Sequence, residues 1–189
     1  MDGGVDCRFA FSGFCMEKQE LLHHLINAYA EAYQNLGHSS LMGKIVALLI
    51  ASPEPLSLDD ISAQLQMSKG PVSQIARKLK EHRLIEKVWI PGERRDFYRA
   101  ADDIFGQAFA NYAASMKRNK QIAADFEQQI GDFEHQDAQT RHLLARMQEM
   151  KTFYEAMEAH NRAFLESWQQ HIRPGLTPLP DTQTTSDKS

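Results

Sequence analysis

Residues 56–100 read LSLDDISAQLQMSKGPVSQIARKLKEHRLIEKVWIPGERRDFYRA. Ser57 and Asp60, three residues apart, have the pattern of a capping box with a shortened acid and predict the start of a short helix. Residues 66–67 are expected to form a turn, after which Ser68 caps a second helix. The pattern therefore predicts two short helices joined by a tight turn.

The residues after the second helix have the composition of β-strands. Residues 84–90 are rich in branched and aromatic side chains, and Phe97 and Tyr98 supply a returning strand. Pro91 and Gly92 turn the chain between the two strands. Helix, turn, helix and a two-stranded ribbon, in this order, predict a winged helix.

The basic residues are concentrated in this part of the chain. Residues 68–99 hold nine Lys or Arg and four Asp or Glu, a net charge of +5, which leaves −9 for the rest of a chain whose formal net charge is −4. A protein that meets phosphate with one face and keeps its other surfaces off DNA has this polarity. A charge run is more often only a solvated surface, so the charge alone decides little.

Helices are predicted on both sides of the winged helix. Residues 17–36 and 39–50 precede the helix-turn-helix, and residues 103–131 and 135–172 follow the ribbon. The first, third and fourth of these segments show helical spacing of apolar positions, and the second is apolar on most sides, which predicts a buried helix. The apolar side of the third of these helices is predicted to consist of Phe105, Ala108, Tyr112, Ile122, Phe126 and Ile130. The fourth carries a heptad seam of Leu143, Met147, Met150, Tyr154, Met157, Asn161, Phe164 and Trp168. Such a seam has to pack against another helix, and a partner subunit is expected to supply part of that burial. Asn161 either sets the helix register or is exposed.

Four motifs occur together in an order that resembles the MarR-type winged-helix regulators, and most of all their GbsR-like subgroup. They are MGKI at residues 42–45, PLSL at 55–58, SKGPVS at 68–73 and VWIPGERRDFY at 88–98. The resemblance covers residues 39–100. It implies a homodimeric transcriptional regulator, often a repressor, whose two winged helices bind a pseudo-palindromic operator on double-stranded DNA.

The fold expected is mainly α with a small β-wing, a winged helix-turn-helix flanked by N- and C-terminal dimerisation helices. The predicted parts are a flexible N-terminal arm (1–16), an N-terminal dimerisation helix (17–38), the winged-helix DNA-binding domain (39–101), a C-terminal helical dimerisation region (102–173) and a disordered tail (174–189).

The DNA-contacting residues are predicted near the start of the second short helix and on the wing, because a recognition helix presents its first turns to base edges. They are Ser68, Lys69, Gly70, Ser73, Gln74, Arg77, Lys78, Arg94 and Arg95. Paired hydrogen bonds from Gln74 to adenine and from Arg77 to guanine would each give about 1–3 kcal/mol of discrimination. Arg94 and Arg95 are expected to enter the neighbouring minor groove or to hold its backbone.

Two interpretations remain open for the aromatic residues of the helices, which include Tyr29, Tyr33, Tyr112, Tyr154 and Trp168. They could line a pocket for a small-molecule effector, and an aromatic cage suits a quaternary ammonium ion. At helical spacing, however, such residues more often form plain core or dimer seam.

Other functional classes find little support in the sequence. No phosphate loop, nucleophile elbow or paired carboxylates indicate an enzyme, and neither a cofactor nor a metal site is predicted. Cys7 and Cys15 have no metal-binding or redox spacing, which favours a reducing cytoplasm as the compartment. No apolar run is long enough to cross a bilayer, which takes about 20 residues. The alternative from another class is a winged helix that serves as a protein-interaction or dimerisation scaffold.

Overall fold

The computed structural model describes residues 18–133 and 137–176. The chain divides into two compact units, Met1–Ala101 and Asp102–Ser189. The predicted N-terminal arm with Cys7 and Cys15, and most of the predicted tail, lie outside the described residues. None of the helices in the described part of the chain has an apolar stretch that could span a membrane.

The first unit has the winged-helix architecture expected from the sequence. Its elements are α1 (Lys18–Asn35), α2 (Ser40–Ala51), β1 (Leu56–Ser57), α3 (Leu58–Leu65), α4 (Lys69–Glu81), β2 (Ile85–Val88) and β3 (Phe97–Ala100). The strands form an antiparallel sheet in the order β1-β3-β2, with Leu56 opposite Tyr98 and Val88 opposite Phe97. The sequence did not predict β1, because two residues are too few to show a strand period.

Helix α2 is the centre of this unit, in contact with α1, α3, α4 and β3. Ile45 and Leu48 on α2 are fully buried, and so are Ile61 on α3 and Val72 and Leu79 on α4. Each buried side chain of this size stabilises the fold by about 1.5–3 kcal/mol. The core therefore fixes one side of α4 and leaves its opposite side exposed.

The predicted capping box at the start of α3 is confirmed. The Asp60 backbone N–H donates to the Ser57 hydroxyl oxygen at 3.2 Å, and the Ser57 N–H donates to Asp60 Oδ2 at 3.0 Å. The Ser57 hydroxyl also donates to Asp60 Oδ2 at 2.6 Å. These hydrogen bonds lower the pKa of Asp60 below its ordinary value. They fix where α3 begins, directly after β1.

Replacing Ser57 with alanine is expected to lower the free energy of unfolding of the first unit by about 0.5–2 kcal/mol. The part of this contribution that comes from hydrogen bonds to the Asp60 carboxylate depends on pH. Because the folded pKa of Asp60 lies below its unfolded value, that part is present above the unfolded value, about pH 4, and is lost as the pH falls through the folded pKa. Urea unfolding of the unchanged protein and of Ser57→Ala, at neutral and at acidic pH, measures this loss of unfolding free energy. Ser68→Ala is the matched control, because Ser68 occupies the N-cap position of α4 without a side-chain capping hydrogen bond. Equal losses in the two variants would contradict the assignment.

The second unit is a helical hairpin of α5 (Ile104–Gly131) and α6 (Ala138–Ser167). A π-helical turn, Trp168–Ile172, and a 3-10 turn, Arg173–Gly175, continue α6. The two helices are antiparallel, since Asp103 at the start of α5 accepts a hydrogen bond from the Trp168 indole at 2.8 Å, while Glu127 near its end pairs with Lys151 at 2.8 Å. The hairpin is thus tied by polar contacts towards both ends.

Part of the predicted heptad seam of α6 packs against α5 of the same chain. Asn161 is buried, 8% exposed, and its amide donates to the Met116 sulfur at 3.7 Å. Tyr154 accepts a hydrogen bond from Asn119 at 2.9 Å. The open question about Asn161 is therefore settled in favour of a buried position.

The apolar side predicted for α5 is only partly buried among the described residues. Among its members Ile130 is buried, but Phe105, Tyr112, Ile122 and Phe126 are exposed. The physical reason is that α5 is apolar on more than one side, and a single neighbouring helix covers only one of them. Ile104, Ala123 and Ile130 are the buried apolar residues of α5.

Candidate nucleic-acid interface

The exposed side of α4 carries most of the residues predicted to contact DNA. Val72, Ala76 and Leu79 are buried, whereas Ser73, Gln74, Arg77 and Lys78 are exposed. This division follows from the helical period, because residues three and four apart share a face. The core therefore holds the polar side chains of α4 outward as one row.

The first turn of α4 has room for a close neighbour. Gly70 is exposed, and a Cβ added there would meet no atom of the described residues within 4 Å. Ser68, predicted to cap the helix, occupies the N-cap position, but its hydroxyl makes no capping hydrogen bond. Nothing in the described part of the chain therefore requires glycine at position 70.

Two of the predicted contact residues on α4 form exposed ion pairs. Lys69 Nζ lies 2.8 Å from Asp59 Oδ1, and Arg77 Nε lies 3.9 Å from Glu81 Oε1. The side chains in both pairs are more than half exposed. Exposed pairs contribute about 0–1 kcal/mol, so a phosphate or a base edge can replace the carboxylate at small cost.

The wing is the hairpin of β2 and β3 with the loop between them, residues 85–100. Its two adjacent arginines have different surroundings. Arg95 Nε and Nη2 donate to the Glu93 carboxylate at 3.2 and 3.1 Å, and its guanidinium carbon lies 5.2 Å from the centre of the Phe97 ring. The hydrogen bonds to Glu93 raise the pKa of Arg95. No carboxylate in the described part of the chain lies within ion-pair distance of Arg94. Arg95 therefore stabilises the wing through Glu93 and Phe97, and Arg94 is the arginine more available to bind an anion.

A cleft between the end of α4 and the wing, here called the α4–wing cleft, was not predicted from the sequence. It has a volume of about 870 Å³, and Lys80, Arg83, Trp89 and Arg94 are among the residues that line it. Trp89 is 77% exposed, and Arg83 has a left-handed backbone with φ of +57°. The sequence held one usable signal, since Arg83 lies just after α4 at a position that commonly takes glycine.

The aromatic residues considered for an effector pocket belong to both units. Tyr29 and Tyr33 stack on α1 with ring centres 6.4 Å apart, and burial raises the pKa of Tyr33. In the second unit Tyr112 is exposed, Tyr154 is hydrogen-bonded to Asn119, and Trp168 is hydrogen-bonded to Asp103. The polar atoms of Tyr154 and Trp168 therefore serve the α5–α6 hairpin. Among the described residues, no three His, Cys, Asp or Glu side chains form a cluster that could hold a metal ion.

Comparison with known proteins finds relatives that are transcriptional regulators. The chain is 28% identical over 122 residues to the HTH-type transcriptional repressor OpcR of Bacillus subtilis (strain 168), covering 62% of this chain and 65% of OpcR. It is 26% identical over 95 residues to YvaV of the same organism, a provisionally assigned HTH-type transcriptional regulator, covering 50% of this chain and 54% of YvaV. The chain thus spans just under two thirds of the first relative and about half of the second. No protein-family model matches the chain.

A solved structure supports the fold. The crystal structure of a transcriptional regulator superimposes with a TM-score of 0.66 at 21% identity, covering 79% of this chain and 98% of that chain. Together with the strand order and the helix positions, this likeness confirms the mainly α winged-helix fold.

Proposed function

We propose that the protein is a sequence-specific DNA-binding transcriptional regulator, a repressor that binds a pseudo-palindromic operator as a homodimer in the cytoplasm. The observation that carries the proposal is the outward row of Ser73, Gln74 and Arg77 on α4, held by a buried core on the opposite side and flanked by a basic wing. The regulators to which the chain is similar support it.

In this proposal α4 enters the major groove with its N-terminal half. Gln74 and Arg77 have the hydrogen-bonding groups that pair with adenine and guanine edges. Gly70 admits the DNA backbone, and Ser68, Lys69, Ser73 and Lys78 contact phosphates or base edges beside it. Arg94 meets the adjacent minor groove, while Arg95 holds the wing in shape through Glu93 and Phe97.

The dimer would be formed in large part by the second unit. A two-helix hairpin cannot bury apolar side chains on its outer sides, and Phe105, Phe126 and Phe153 are 59%, 46% and 58% exposed. A second copy offers a matching apolar surface, which gives a symmetric interface. Two half-sites one helical turn apart, about 10 base pairs, are then expected. Membership of the GbsR-like subgroup and an effector bound by the aromatic side chains stay predictions from the sequence.

Fluorescence anisotropy of the full chain tests the proposal. The probes are a labelled duplex from the region upstream of the protein's own gene and a scrambled duplex, each titrated at several salt concentrations. A dimer that neutralises roughly six phosphates should lose about 10³-fold in affinity between about 50 and 200 mM salt, and should prefer the upstream duplex. Absence of binding to either duplex at moderate salt would contradict the proposal and favour the protein-interaction scaffold.

A further inference from the structure

We propose that the α4–wing cleft binds the sugar–phosphate strand that flanks the groove occupied by α4, with Arg83 on a phosphate and Trp89 against a deoxyribose. The inference rests on the proposed DNA binding and extends it. It assigns contacts to Lys80, Arg83 and Trp89. These residues are in neither the outward row of α4 (Ser73, Gln74 and Arg77) nor the arginine pair of the wing (Arg94 and Arg95). Four kinds of observation support it: charge, backbone conformation, exposure and position.

The cleft has a surplus of positive charge. Its three acids are each matched by a cation: Glu86 with Arg99 at 3.0 Å, Glu93 with Arg95 at 3.1 Å, and Asp96 with Lys87 at 2.7 Å. Lys80, Arg83 and Arg94 also line the cleft, and no carboxylate in residues 18–133 or 137–176 lies within ion-pair distance of them. Three unmatched cations around an open cleft suit an anionic occupant with repeated charges.

Arg83 is held in a conformation that costs free energy. The chain leaves α4 there, with the Arg83 N–H donating to the Lys80 carbonyl at 2.9 Å and the Leu84 N–H donating to the Leu79 carbonyl at 2.9 Å. The left-handed conformation is required by this turn, and glycine would adopt it with less strain. A strained non-glycine residue in a cleft points to a use for its side chain.

The exposed indole of Trp89 indicates that the ligand of the cleft has an apolar part as well as negative charge. A tryptophan with 77% of its surface exposed is unusual, since aromatic rings of this size are mostly buried. The unmatched cations beside it are unsuited to a purely apolar partner, because burying them without counter-charges is costly. A sugar–phosphate strand offers both an apolar sugar face for the ring and phosphates for the cations.

The cleft lies between α4 and the wing, the two parts of the proposed DNA interface. Lys80 lies three residues after Arg77, so the two side chains are neighbours on the surface of α4. Arg94 belongs both to the cleft and to the wing. A strand that passes from the groove occupied by α4 to the wing would therefore cross the cleft, and this continuity favours DNA over an unrelated anion.

The first test is Arg83→Gly, which separates a structural role from a DNA contact. Because glycine suits the left-handed position, thermal unfolding should occur at the same temperature as in the unchanged protein or higher. The affinity for the upstream duplex is measured by anisotropy at several salt concentrations. The slope of log affinity against log salt should become shallower by about one unit for each Arg83 removed. An unchanged slope and affinity would overturn the assignment of Arg83.

The second test uses Trp89. The chain contains two tryptophans, so the emission of Trp89 is obtained as the difference between the emission of the unchanged protein and that of Trp89→Ala. The upstream duplex should change the Trp89 emission, and Trp89→Ala should weaken binding to the upstream and scrambled duplexes by the same factor. If the unchanged protein binds DNA but the Trp89 emission and the affinity of Trp89→Ala stay the same, the contact of the cleft with the DNA strand is overturned and the proposed DNA binding stands. If the parent protein itself binds neither duplex, the proposed function fails instead.

Discussion

Gly43→Ala is expected to destabilise the first unit by about 2 kcal/mol, which in a unit of this size lowers the melting temperature by about 10 °C. A Cβ at position 43 would lie 2.7 Å from the Tyr29 carbonyl carbon and closer still to its oxygen. These atoms are backbone, so α1 would have to move away from α2. Alanine gains only about 1 kcal/mol in helix propensity, which the collision outweighs. Calorimetry or urea unfolding measures the change.

Gly70→Ala is the matched control for this prediction. Gly70 also lies in a helix, but a Cβ there would meet no atom within 4 Å. Its unfolding should stay unchanged or shift slightly upward, since alanine favours the helix. If Gly43→Ala unfolded like Gly70→Ala, the close approach of α1 and α2 would not be a determinant of stability.

Local patterns predicted much of the first unit. The capping box of Ser57 and Asp60 and the apolar positions Val72, Ala76 and Leu79 are set by neighbours three or four residues away, so the sequence displays them directly. Contacts between distant residues left no such signal. The hydrogen bond between Trp168 and Asp103 joins residues 65 positions apart, and β1 exists only because β3 lies beside it.

The same distinction applies to the candidate interface. The row on α4 follows from the helical period and was predicted residue by residue, although its contacts with DNA stay a proposal. The adjacent Arg94 and Arg95 look equivalent in the sequence. Only the fold shows that Arg95 reaches both Glu93 and the Phe97 ring. The α4–wing cleft depends on how a helix end and a hairpin meet, which no short pattern encodes.

Arg77→Ala is expected to weaken binding to the operator by about 1–3 kcal/mol per half-site, or roughly 5- to 150-fold. The Arg77 side chain is 73% exposed, and its ion-pair partner among the described residues is Glu81 at 3.9 Å, so its removal leaves the core of the first unit intact. The scrambled duplex should lose much less, because a phosphate contact alone carries no sequence information. Anisotropy titrations of both duplexes at one salt concentration give the ratio of the affinity for the operator to the affinity for the scrambled duplex.

Arg118→Ala in the second unit removes the same charge from a residue outside the winged helix, and it should leave that ratio unchanged. Gln74→Ala should lower this affinity ratio as Arg77→Ala does, since the Gln74 and Arg77 side chains both lie on the exposed side of α4. Equal weakening of both duplexes by Arg77→Ala would show that Arg77 holds the backbone rather than a base. The specificity would then have to come from Gln74, from Ser73, or from the shape of the DNA, and a selection of preferred base pairs by each variant would distinguish these sources.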